Sequence, residues 1–599
     1  MVRGGIMRPI FVPGFGQVVS RGHLKLESRY IRAVADDKRV SRREFMKLAG
    51  SGVLVASLTY AEKGRTRGGR GAVGGGVPST GFYPSGHFIT ARQPMILNYP
   101  RPDSETATWA RHHYAFYDGA NAIEYDVPII IGFGAFPFVA QIMPGTPSWL
   151  SIPWEYWPAW GSGNNWLPGL DAHTNGYLRI KGTPSGPVSG ATVWVRIWDQ
   201  QLNYIDVKWL LSTASTWTST NGYGFLFADS ATGSNSNSGS FSSRLADLTG
   251  LFGSTYATTT FPGAIAYLAT GNSSTSPYEP PQYSDQDFGF ANPCFEFSTV
   301  TKPGALLALP GDIPIIDATQ YPHCLTSNDA ASDLYLKDFT INGYPTTQTT
   351  FKPIYIGGKS SGAYRQTVDG VIYTNGGPGT GSASENDSAV FCPGGSSSFI
   401  NYLSITGLSE TNRAAGSGAT NYPCFCIYNA TNFVGQFCSS INTSVSVDGG
   451  CYQKSDVQNG CTQGCFISFS NSNYPFSFGQ SVVTPENLMN SESRFNLGLN
   501  SQEIYAPAVS TAGTLWVYRN TTQSTTGNGV GLVAQGSSAN LSWFGSNVVQ
   551  SSYTPIPSGS SLNIQTDGHN LIGTALLNAD GTLVSGQSAN LGLVGVQIA

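Results

Sequence analysis

Short apolar and aromatic runs, separated by Gly, Pro, Ser, Thr and Asn, fill the chain from about Pro94 onward. Runs this short, so punctuated, read as strands rather than helices. The clearest is Ala191–Trp198, in which Val193, Val195 and Ile197 alternate with Thr192, Trp194, Arg196 and Trp198. A period of two places the first set on a core face. Residues 124–131, 137–142 and 204–209 are predicted strands of the same unit, an antiparallel sandwich over residues 94–215. From residue 223 the pattern changes. Strands at 225–229 and 264–268 lead into segments 334–343, 367–375, 399–407 and 434–442, each a short apolar run ending in Asn or Gly. Asn and Gly accept the left-handed backbone that a coil corner demands. Units that bury apolar positions only by stacking on their neighbours form a solenoid, predicted over 223–599. A helix over 244–251 is expected to cap its open end. The Ser/Thr-rich stretch 215–223 reads as a linker, so a chain break there should leave two folded pieces.

Composition narrows the class. Charged residues make up 11%, aromatics 12%, and there are 72 Gly and 35 Pro. Coiled coils and helical bundles are thereby excluded, and so is whole-chain disorder, which lacks this much apolar surface. The net charge of −4 hides an asymmetry: residues 1–70 carry +10 and the remainder −14. A body so poor in Lys and Arg cannot neutralise many phosphates, so no nucleic-acid partner is expected.

The basic head contains Ser41-Arg42-Arg43-Glu44-Phe45-Met46-Lys47, then an uncharged apolar stretch over 48–60 and Ala61. That stretch is short for a membrane span of ~20 residues, and no longer apolar run follows, so the mature protein is expected to have no transmembrane segment. The motif resembles the bacterial twin-arginine signal, with Met46 in the usual Leu position. The resemblance implies that Arg42 and Arg43 are read for export and that 1–61 is a signal peptide with an extended n-region. Residues 62–93 then form a Gly/Arg-rich flexible leader, and the destination is the periplasm, the cell surface or the extracellular space.

Within the first unit, Gly134-Ala-Phe-Pro-Phe138, Trp149-Leu-Ser-Ile152, Gly182-Thr-Pro184 and Val193-x-Val195-x-x-x-Asp199 follow one another. This order resembles the immunoglobulin-like and cadherin-like modules of bacterial surface proteins. An insertion at 153–174 departs from it and carries Trp154, Tyr156, Trp157, Trp160 and Trp166. Two readings stand: these rings stack on sugar faces, or they pack the insertion against its neighbours. Phe225-Leu-Phe-Ala-Asp229 with Gly233-Ser-Asn-Ser-Asn-Ser-Gly239-Ser240 resembles the entry of bacterial right-handed parallel β-helix proteins of pectin-lyase-like fold. The fold class is therefore all-β, an immunoglobulin-like β-sandwich at 94–215 followed by a right-handed parallel β-helix at 223–599.

All nine cysteines lie in the second unit, six of them between Cys424 and Cys465. The separations Cys426 to Cys451 and Cys438 to Cys461 approach one coil, which predicts buried thiols at equivalent positions; disulfides between adjacent coils are the alternative. No metal site is called, because Cys461-x-x-x-Cys465 lacks a second matched pair.

Enzymes on the β-helix fold work on an exposed sheet face or in the groove beside it. A hydrolase needs facing carboxylates, one protonated and one ionised; Asp338 and Asp369 are candidates. A lyase needs a cationic base beside a uronate, with calcium to offset charge. Asp448-Gly-Gly-Cys-Tyr-Gln-Lys454-Ser-Asp456 is similar to the Asp-Gly…Lys segment of β-helix pectate lyases, which would make Lys454 the base and Asp448 and Asp456 its acidic neighbours. No cofactor is required otherwise. The expected partner is an extracellular polysaccharide, recognised and on one reading cleaved; the alternative is a non-catalytic surface or adhesive protein with the solenoid as scaffold.

Overall fold

A computed structural model describes residues 95–573, with longer breaks at 101–111, 153–176, 248–263, 279–294, 345–351, 378–387, 393–399, 412–420, 479–490, 507–513, 524–531 and 551–562 and shorter ones between, plus two short strands at Phe11–Val12 and Gly16–Gln17. The twin-arginine motif with Arg42 and Arg43, and the aromatic insertion with Trp154, Tyr156, Trp157, Trp160 and Trp166, lie outside the described residues. Lys454 and Asp456 do too.

Among the described residues, two sheets make the first unit. Ile96–Tyr99, Tyr125–Gly132 and Tyr177–Gly182 form an antiparallel three-stranded sheet. His112–Phe116, Tyr204–Ala214, Ala191–Trp198 and Val139–Ile142 form a four-stranded one, whose first pair is parallel. Both contribute to one core: Val127, Ile129, Ile131, Leu178 and Ile180 face Val193, Val195, Ile197, Val207 and Leu211. The alternation in Ala191–Trp198 therefore reads as expected, although Arg196 and Trp198 on the other side are also buried. Arg196 is covered because Asp206 pairs with it at 2.8 Å and Tyr204 lies over its guanidinium.

The second unit is a three-faced parallel solenoid. Among the described residues its faces hold 12, 9 and 10 strands, and successive strands visit the faces in rotation. We call the 12-stranded face the long sheet. Its inward ladder Leu306, Leu336, Val368, Ile405 is wholly apolar and buried. A three-faced coil must turn between each pair of faces, and the turns recur from coil to coil. Asp338, Gly370, Gly407, Phe437 and Gly464, each just past a long-sheet strand, have φ between 52° and 64°. Each donates its N–H to the carbonyl of the last residue of the long-sheet strand one coil on, from Asp338 to Asp369 O at 3.0 Å through Gly464 to Arg494 O at 3.2 Å. A second left-handed row, Arg365, Tyr402, Asn432 and Asn459, kinks the strand starts, and Asn459, Asn432 and Asn401 link side chain to side chain at 3.1 Å. The Asn and Gly corners were thus legible, but Asp, Arg, Tyr and Phe occupy the same conformation, held by the stack above and below.

The expected helix over 244–251 is not formed at residues 244–247. Leu245 instead pairs with the solenoid's first strand, accepting from Asp229 N at 2.8 Å and donating to Phe227 O at 2.9 Å, so backbone pairing ties residues 244–247 to that end. The start of the predicted linker is also pinned: Trp217 N bonds Phe225 O at 2.8 Å and Phe225 N bonds Ser215 O at 3.0 Å.

The side chains of seven cysteines are described, all buried and none in a disulfide. Their stacking differs from the spacing argument. The coil-equivalent pairs are Cys438 with Cys465, each donating to the second residue back and to the preceding coil, and, across a bulge, Cys424 with Cys451. Cys461 instead points outward from the long sheet, one corner away from Cys465. Cys424, Cys438, Cys451 and Cys465 form an interior ring in which each thiol reaches two others. Burial pushes Cys438, Cys451 and Cys465 up, whereas at Cys424 the bonds from Cys438 and Cys451 outweigh burial and bring it down.

Candidate functional site beneath the sandwich

Outward side chains of the long sheet form rows one coil apart. One row runs Lys337, Asp369, Thr406, Gln436, Gln463, Arg494 in strict register. On an open sheet these polar groups would face water and could meet a substrate. All are buried, because the three-stranded sheet of the sandwich lies on them.

At one end, Arg179 of the sandwich makes a two-pronged bond to Asp369, at 3.1 and 3.0 Å, and also holds Asp126 of its own sheet at 2.6 Å. Lys337 of the solenoid reaches Asp126 at 3.1 Å and also contacts Asp338. Lys181 stands 3.6 Å from Asp126, and the Tyr335 hydroxyl donates to Asp369 at 2.8 Å. Three carboxylates, Asp126, Asp338 and Asp369, thus meet three cations, Arg179, Lys181 and Lys337. The formal charge is zero. Burial alone would raise the Asp126 carboxyl; the charges of Arg179 and Lys337 overcome it and hold the group well below the usual carboxylate range. Burial likewise opposes the Lys337 ammonium, yet Asp126 and Asp338 push it above the usual lysine range. Asp338, at the rim, is raised by burial and by the Asp369 charge, against the pull of Lys337.

At the other end the direction of recognition reverses. Arg494 of the solenoid donates to two sandwich carbonyls, Gly134 O at 2.7 Å and Phe133 O at 2.9 Å, and to Gln463 Oε1. Its charge is matched by Glu492 at 3.1 Å. Gln463 also donates to Ile131 O at 3.0 Å and to Gln436. Between the two ends, Asn98 bonds Leu403 O and Ser404 Oγ, and Ile130 and Phe133 pack on Val434 and Cys461. Gly132 is needed here: a β-carbon at this position would lie 2.9 Å from a methyl of Val434. Beyond Lys337 the interface is apolar, with Phe116 and Ile123 against Phe225, Phe227, Tyr267 and Leu307.

Of the candidates read from sequence, Asp338 and Asp369 are brought together around Lys337, with Asp369 sealed and Asp338 open to solvent on one side. Asp448 begins the strand Asp448–Gln453 of the nine-stranded face, away from this cluster. Asp126, Arg179, Gln463, Glu492 and Arg494 were missed. Their only signal is a charge or amide within a strand, which ordinarily marks a solvated face. Among the described residues, no group of three or more His, Cys, Asp or Glu side chains is arranged to hold a metal ion. No described helix is long and apolar enough to cross a membrane.

Because Asp126 is depressed, its contribution is present above the ordinary carboxylate value and lost only as pH falls through its lowered one. Because Lys337 is raised, its contribution is full below the ordinary lysine value and lost as pH climbs through the raised one. Between about pH 5 and 9 these two groups should therefore leave stability flat. A chelator should also change nothing, since the cations are already built in. Melting temperatures across that range, with and without EDTA, check this; a chelator-dependent drop would contradict it.

No protein-family model matches the chain, and no curated protein does. Two solved structures of a GH136 lacto-N-biosidase from Eubacterium ramulus are similar at 9% identity. The selenomethionine form covers 58% of this chain and 68% of that one with a TM-score of 0.31, and the native form 59% and 68% with 0.28.

Proposed function

We propose that the chain is an exported, glycan-recognising scaffold, an immunoglobulin-like sandwich fixed on a right-handed parallel β-helix, without catalysis on the long sheet. The observation that carries this reading is the burial of the whole row from Lys337 to Arg494. A polysaccharide cannot reach Asp369, and its carboxylate is committed to Arg179 and Tyr335. The Asp126–Lys337–Asp369 cluster acts as structure. Recognition falls to the aromatic insertion, Trp154, Tyr156, Trp157, Trp160 and Trp166, whose rings suit the apolar faces of sugars. The body after residue 70, with a net charge of −14, repels polyuronates and favours neutral glycans. A lyase activity would turn on Lys454, with Asp448 and Asp456, and would need calcium.

A panel of neutral and acidic polysaccharides separates the readings. The expected result is binding of a neutral glycan, lost on Trp157→Ala with Trp160→Ala, and no release of reducing ends or unsaturated products. Turnover abolished by Lys454→Ala would establish the lyase instead. Failure to bind any glycan would leave the solenoid as the scaffold of a protein adhesin.

A further inference from the structure

A module lying over a sheet can be a hinged lid or a permanent cover, and the two leave different marks at the interface. Here the contacts are reciprocal. The sandwich sends Arg179 into a solenoid carboxylate, and the solenoid sends Arg494 into sandwich carbonyls. Asp369 and Arg494 stand four coils apart in one row, roughly 19 Å at the usual strand spacing. Slipping by one coil would set Arg179 against Lys337 in one direction or the Thr406 hydroxyl in the other, and would pull Arg494 off both carbonyls. Wrong registers are thus penalised by charge. Opening would return the charges to water, so they fix position more than strength. Strength comes from the apolar strip, Ile130, Phe133, Val434 and Cys461, continued by Phe116, Phe225, Phe227 and Tyr267. The connection offers no slack at its start, because Ser215 and Trp217 are paired to Phe225.

We infer that the sandwich is a register-locked, permanent cover of the long sheet that separates from it only when the chain unfolds globally. This stands apart from the glycan reading and holds whether or not the protein binds sugar. The chain carries its own reporter. Cys461 is fully buried under the sandwich, while Cys438 and Cys465 are buried inside the solenoid. A lid would expose Cys461 alone; a cover exposes all three together.

The test is native-state alkylation of the full chain with iodoacetamide, followed by peptide mass mapping. The three thiols are expected to react at rates within about threefold of one another, since all wait for the same opening. In Asp369→Asn all three should accelerate by the same factor. Cys461 reacting about tenfold or more faster than the other two, in either protein, would mean a local opening and overturn the inference. Unchanged rates in Asp369→Asn would overturn the register lock.

Discussion

Arg494→Ala is expected to destabilise the protein by about 3 to 5 kcal/mol, the usual cost of removing one member of a buried ion pair. The guanidinium has no exposed surface and satisfies Gly134 O, Phe133 O and Gln463 Oε1 while matching Glu492. Alanine removes these donors together and strips Glu492 of its guanidinium in a site that water does not reach. Glu492→Gln with Arg494→Met should cost less than Arg494→Ala, because it removes both charges and keeps most of the volume. Denaturant unfolding of the three proteins at neutral pH measures this. Equal stability of Arg494→Ala and the parent would show that the contact does not form.

Asp369→Asn is expected to cost about 2 to 3 kcal/mol, somewhat less than Arg494→Ala, because Arg179 keeps Asp126 as a partner. The amide preserves shape but not charge, so the two-pronged bond loses one prong and the Tyr335 hydroxyl loses its ionised acceptor. The same substitution would be the standard knockout of a catalytic carboxylate. The two roles separate in the readout: a structural aspartate lowers the unfolding midpoint, whereas a catalytic one lowers turnover at unchanged midpoint.

How much of this was readable from sequence follows from what sets each feature. The strand at Ala191–Trp198 and the coils around residues 334–343 and 399–407 were legible because local periodicity and Gly/Asn corners are properties of the segment itself. The corners at Asp338, Phe437 and Arg365 were not, since stacking from neighbouring coils can force a left-handed backbone on residues that do not prefer it. The thiols were expected at equivalent coil positions, but the pairs are Cys438 with Cys465 and Cys424 with Cys451; coil length varies with its loops, so counting residues cannot give register. Least legible was the covered row. Lys337, Asp369 and Arg494 have the alternation of a solvated face, and nothing local reveals that a sheet from residues 96–182 will lie on it. Asp126 and Arg179 find partners 211 and 190 residues away, a separation at which pattern reading carries no information.

The sandwich sits on the long sheet in this register, and one engineered cross-link tests that placement most directly. A β-carbon added at Gly132 would lie 3.4 Å from Cβ of Cys461, close to the separation of about 3.5 to 4.5 Å that a disulfide spans. Gly132→Cys, combined with Val434→Ala to clear the crowding methyl, should join residues 132 and 461 under mild oxidation, seen as a linked peptide pair in a non-reducing digest. Recovery of both thiols free from a folded protein after oxidation would contradict it.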